Sequence, residues 1–141
     1  MRRRVTVITA TAAAVGAIFA PTAAAKSPCS VPDHPAWHSC LSAGHRPVVG
    51  TDQVRLTRAS ATLVVRSAAC PPQLIRRTVA LRTRKGQLLA RKRVTGRCRN
   101  GVSRWRTNLR PNLDLARGTV VRSFWSRLAD EDQAPSVKLE D

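Results

Sequence analysis

The 141-residue chain predicts an all-β fold, a small antiparallel β-sandwich (Ig-like) held by two disulfides. Three observations carry the expectation. Several short segments alternate apolar and charged residues with a period of two, as half-buried strands do. Turn residues punctuate them: Pro71-Pro72, Gly96, Asn100-Gly101 and Pro111-Asn112. Cys29, Cys40, Cys70 and Cys98 make an even count, which in a small exported chain reads as a disulfide framework.

Residues 1–25 read as a secretory signal peptide. Arg2, Arg3 and Arg4 form a positive start, Val5 to Ala20 is apolar and uncharged, and Thr22-Ala23-Ala24-Ala25 offers small residues at a cleavage site. The apolar run is shorter than the ~18 residues a spanning helix needs. No transmembrane segment is expected after cleavage, and the predicted location is secreted. Val5-Thr6-Val7 fits a twin-arginine signal poorly, so the general secretory route is expected.

Residues 26–50 carry Pro28, Pro32, Pro35 and Pro47 and read as a proline-rich, disulfide-closed N-terminal segment. Four cysteines allow three connectivities. Neighbour pairing, Cys29–Cys40 and Cys70–Cys98, is the expected one, and loop closure then contributes roughly 3 and about 3.5 kcal/mol. Residues 51–128 form the predicted sandwich domain. VRLTR at 54–58 puts Val54 and Leu56 on one face, and TLVVR at 62–66 is apolar on both sides, as a more buried strand would be.

The most charged stretch, TVALRTRKGQLLARKRVTGRC at 78–98, holds seven cations in twenty-one residues. A two-residue turn at Lys85-Gly86 would pair Arg84 with Gln87, Leu81 with Ala90 and Val79 with Lys92. Val79, Leu81, Thr83, Leu88 and Ala90 then share one face. Arg82, Arg84, Arg91, Arg93 and Arg97 share the other, with Leu89 among them. Lys92 falls on the apolar side, as an inward charge blunting an edge strand or as the mark of a bulge. VSRWRTNL at 102–109 sets Trp105, Thr107 and Leu109 against Arg104 and Arg106.

Segment 118–128, GTVVRSFWSRL, supports two readings. Its β-branched start favours a strand. Val120, Val121, Phe124, Trp125 and Leu128 also make a helical stripe, and a helix there would turn the fold into α+β. Residues 129–141 read as a mobile acidic tail.

Charge constrains function more than any motif does. The chain is +17; without the three leader arginines it is +14; the tail is −4, so residues 26–128 carry +18. That is far above the magnitude of roughly 2–8 usual for a small soluble domain. Arginine forks bind phosphate and carboxylate bidentately. Arg82, Arg84, Arg91, Arg93, Arg97, Arg104 and Arg106 are therefore the candidate binding residues. The expected protein is a secreted, cationic, non-enzymatic binder of an anionic polymer or cell-surface component, such as teichoic acid, acidic polysaccharide or extracellular nucleic acid. Aromatic residues interleaved with the cations are almost absent, so no specific nucleic-acid site is expected.

Asp33, His34, His38 and His45 are the material for a metal or hydrolytic site. Pro35 interrupts the pair, and oxidised cysteines beside it are not thiolate ligands. Surface histidines in a constrained loop are the expected reading, with no metal, cofactor or catalytic residue. In its Arg-over-Lys bias, 21 to 4, and its lack of tyrosine, the chain resembles the small secreted β-sandwich proteins of actinobacteria. That resemblance implies no activity. Cys70-Pro71, with Cys98 some thirty residues on, is similar to the Streptomyces subtilisin-inhibitor type. This implies a secreted protease inhibitor as the alternative, with a reactive segment near Pro72 to Leu74 and an extracellular serine protease as partner. The chain departs from that pattern by running 43 residues past Cys98 and by placing Cys29 and Cys40 early and close together.

Overall fold

A computed structural model describes residues 29–30, 36–73, 75–128 and 134–140. The expected signal peptide, Asp33, His34, Leu74 and residues 129–133 lie outside the described residues. The described chain is all β, with nine strands: β1 Trp37–Pro47, β2 Gln53–Arg66, β3 Arg76–Thr83, β4 Leu88–Thr95, β5 Arg97–Arg99, β6 Val102–Leu109, β7 Leu113–Ala116, β8 Val120–Trp125 and β9 Ser136–Lys138. All pair antiparallel. One sheet runs β1-β2-β6-β5, with β7 continuing past β6 along the same edge of β2, and the other runs β4-β3-β8-β9. The sandwich core lies between the sheets. Leu41, Leu56, Leu63 and Trp105 from the first meet Leu81 and Val121 from the second, all fully buried or nearly so.

The disulfides are Cys29–Cys40 and Cys70–Cys98, the expected neighbour pairs. Both sit at the periphery. The first pins the chain before β1 onto that strand, where Ser30 N–H donates to Ser39 O and Ser39 N–H donates to Ser30 Oγ. The second ties the β2–β3 connection to β5. Most of the described part of residues 26–50 belongs to the first sheet. Eleven of them form β1, whose inward set Trp37, Ser39, Leu41 and Ala43 is buried.

Segments 54–58 and 62–66 are the two ends of one fourteen-residue strand. A bulge at Thr57, opposite the Gly44/His45 step, switches the buried parity from Val54 and Leu56 to Ala59, Ala61 and Leu63. Thr57 Oγ1 donates to Gly44 O at 3.0 Å and holds the bulge.

The charged stretch is a folded hairpin, β3–β4, with a corrected turn. Its loop has three residues, Arg84-Lys85-Gly86, closed by Thr83 N–H to Gln87 O and Gly86 N–H to Thr83 O, with Gly86 at φ 90°. A second irregularity at Leu89 restores the expected register, so that Leu81 faces Ala90 and Val79 faces Lys92. The price is paid in faces: Leu88 turns outward and Leu89 is buried, the reverse of the expectation. Lys92 does sit on the inward register of an edge strand, and it is exposed.

Segment 118–128 forms strand β8, and no helix occurs among the described residues. Val121, Ser123 and Trp125 point into the core. The expected tail is also corrected. Ser136–Lys138 adds to β8 as an edge strand, and Val137 and Leu139 are buried. Two apolar residues at alternate positions are enough to dock a short segment once a sheet edge is there to receive it.

Candidate polyanion-binding surface

Alternation decides where each arginine goes. On β6 the inward residues Ser103, Trp105, Thr107 and Leu109 are buried, so Arg104 and Arg106 stand on the solvent face of the first sheet. The β5–β6 hairpin turns at Asn100-Gly101, with φ 51° and 76°, the left-handed pair such a two-residue turn requires. The tight turn sets Arg97 directly opposite Arg104, with Arg99 two residues along β5 facing Val102. Adjacent strands lie about 4.8 Å apart and same-face residues on one strand about 6.7 Å apart. Arg97, Arg99, Arg104 and Arg106 line an open depression of about 710 Å³, together with Thr95, Asn100 and Val102.

The other predicted residues lie elsewhere. Arg91 and Arg93 are exposed on β4, opposite Ala80 and Thr78. Arg82 faces Arg122 across β3–β8, and Arg84 is in the hairpin loop. These four belong to the second sheet. The seven arginines thus form two sets on opposite outer faces rather than one stripe. The reason is Gly96, where the chain passes from β4 in one sheet to β5 in the other. Because β4 and β5 are edge strands, Arg91, Lys92 and Arg93 on one side and Arg97 and Arg99 on the other flank this one edge of the sandwich. Arg99 and Arg122 join the two sets. Arg99 was readable from its two-residue spacing to Arg97. Arg122 was hidden by the ambiguous period of its segment.

Among the described residues the acids are Asp52, Asp114 and Glu140, and each has a cation: Arg117 at 3.7 Å, Arg55 at 2.7 Å and Lys138 at 2.6 Å. None lines the depression. Arg55 grips Asp114 with two hydrogen bonds, which hold the Asp114 carboxyl below the usual carboxylate range and raise Arg55. A depressed carboxyl stabilises the fold above its unfolded pKa and loses that effect as pH falls through the folded value. Asp114→Asn should therefore lower the melting temperature at neutral pH, and the gap to the parent should close as pH falls through and below the usual carboxylate range. A gap that persists in acid would mean that the pair acts by packing alone. Arg77 is different. It sits at an inward position with its guanidinium 4.7 Å from the Trp105 ring centre and donates to Ser126 O, and burial, with Arg127 nearby, lowers its pKa.

The two described histidines, His38 and His45, do not converge. His38 points outward from β1, with Nε2 3.2 Å from Cys40 Sγ, whereas His45 is on the inward register with Nε2 against Glu140 O. Opposite faces of one strand cannot supply one metal. Cys29, His38 and Cys40 do cluster, but both sulfurs are in the disulfide. No family model, curated protein or solved structure matches the chain.

Proposed function

We propose that this is a secreted, non-enzymatic protein that binds an anionic polymer through its arginine surface. The carrying observation is Arg97 directly opposite Arg104, with Arg99 and Arg106 beside them and no acid among the described residues lining the depression. Like charges opposite one another destabilise a sheet, and a row of phosphates or carboxylates would convert that repulsion into charge-assisted, bidentate hydrogen bonds. The depression is open, which suits a chain laid across it better than an enclosed small molecule. The disulfides are compatible with an extracellular location. Outside a Gram-positive cell, teichoic acid and acidic polysaccharide have the required chemistry, and extracellular nucleic acid would be held by its backbone alone.

Binding of the oxidised protein to purified Gram-positive cell wall tests this. Association should be tight at low salt, weaken as salt rises, and vanish on wall stripped of teichoic acid. Equal binding to both walls would remove the phosphate polymer as the target.

A protease-inhibitor reading has one observation in its favour. Pro71, Pro72 and Gln73 are exposed beside the Cys70–Cys98 disulfide, as a presented segment would be. Titration against secreted serine proteases discriminates: stoichiometric inhibition lost on replacing Gln73 supports it, and the absence of inhibition removes it.

A further inference from the structure

The two sheets leave a cavity at the edge where β1 faces β8, well away from the arginine depression. Its volume is about 150 Å³, and its lining includes Trp37, Ser39, Ser123, Trp125, Arg127 and Leu128. Ser39 and Ser123 occupy inward positions, between Trp37 and Leu41 on β1 and between Val121 and Trp125 on β8, where apolar residues would be expected. Both serines are 1% exposed and Trp125 is 5% exposed. Ser39 Oγ, Ser123 Oγ and Trp125 Nε1 have no hydrogen-bond partner. Few buried polar atoms in folded proteins are left so. Here three of them belong to the lining of one cavity.

The chemistry of the lining is directional. An indole N–H only donates, and a serine hydroxyl can rotate to donate. Arg127 adds a positive charge, and among the described residues no acidic side chain is in the lining. Trp37, Phe124, Leu128 and Pro135 supply apolar wall. An acceptor-rich, negatively charged head with a short hydrocarbon body satisfies all of these at once. The volume equals that of a protein cavity that takes up benzene, so the occupant has on the order of six non-hydrogen atoms. We propose that this cavity binds a small monocarboxylate, its oxygens accepting from Trp125 Nε1 and the two serine hydroxyls and its alkyl body lying against the aromatic wall.

The test follows the Trp125 indole N–H by heteronuclear NMR while butyrate is added to the full oxidised protein, with 1-butanol as the uncharged control of similar size. Butyrate should shift the signal saturably, with a dissociation constant on the order of 1 mM, well within what a ligand of about six non-hydrogen atoms can reach. Butanol should not. Ser123→Ala should weaken butyrate about tenfold by removing one charge-assisted donor. It should leave the melting temperature unchanged or raised, because the hydroxyl it removes is unpaired. Trp125→Phe, which keeps the ring and removes the donor, assigns the signal, and butyrate binding to it, read from the Trp37 signal, should weaken similarly. Equal response to butanol would overturn the carboxylate assignment. No saturable shift, or butyrate binding undiminished in Ser123→Ala, would overturn the site.

Discussion

Replacing Arg97, Arg99, Arg104 and Arg106 by glutamine should lower affinity for a phosphate polymer by about 10²- to 10³-fold near 0.1 M salt. The salt slope should fall by about three, because each neutralised phosphate contributes roughly 0.7–0.9. Stability should not fall. All four side chains are exposed, and the change removes the repulsion between Arg97 and its opposite neighbour Arg104. The informative control takes four cations from the other face and edge, Arg84, Arg91, Lys92 and Arg93. If only the first set matters, the depression is the binding surface. If the sets weaken binding equally, net charge is the agent and the polymer wraps the edge without a preferred face. If neither changes affinity, the proposed function fails and the charge has another cause. Isothermal titration with a defined polyphosphate, repeated at several salt concentrations, reads all three outcomes.

Gly96→Ala should be strongly destabilising. Gly96 carries the crossing from β4 to β5, and its backbone lies on the Trp105 indole. An added Cβ would sit within the ring's own contact shell, 2.7 Å from Cζ2 and nearer still to Cε2 and Nε1. Trp105 is 2% exposed and donates through Nε1 to Ile75 O, the same carbonyl that accepts from Gly96 N–H. The ring has nowhere to move without breaking that shared acceptor. Overpacking of this kind costs about 3 kcal/mol, a drop in melting temperature on the order of 10 °C for a domain this size. Thermal unfolding under oxidising conditions measures it. The double variant Gly96→Ala/Trp105→Leu should lose less than the sum of the two single variants, since the clash and the ring vanish together. Strict additivity would show that Gly96 is needed for its backbone freedom and not for its closeness to the indole.

The two arginine sets show how far a linear pattern reaches. Arg104 and Arg106 were assigned to a solvent face because Trp105, Thr107 and Leu109 fill the alternate positions, and that assignment is met. The same rule placed Arg97 with Arg91 and Arg93, since all have the right parity. It failed because parity has meaning only within one sheet, and Gly96 ends that sheet. The hairpin makes the same point at finer scale. Leu81 and Val79 found their expected partners, yet Leu88 and Leu89 exchanged roles, because the longer loop and the bulge each shift the count by one and cancel only beyond position 89.

By itself the sequence pointed to strands across residues 54–109, to neighbour pairing as the expected one of three cysteine connectivities, to the outward arginines of β6 and to the inward place of Trp105. Each follows from local information: side chains alternate every residue, Asn-Gly turns tightly, and cysteines close in the chain close the smaller loops. The tertiary structure alone decided that β1 and β9 are strands, that Ser39 and Ser123 face a common cavity, and that the cations divide between two outer faces. Residues 37–47 and 136–138 carry too little apolar alternation to form strands alone. They become strands because β2 and β8 present open edges, and an unpaired backbone beside a sheet gains its hydrogen bonds by joining it.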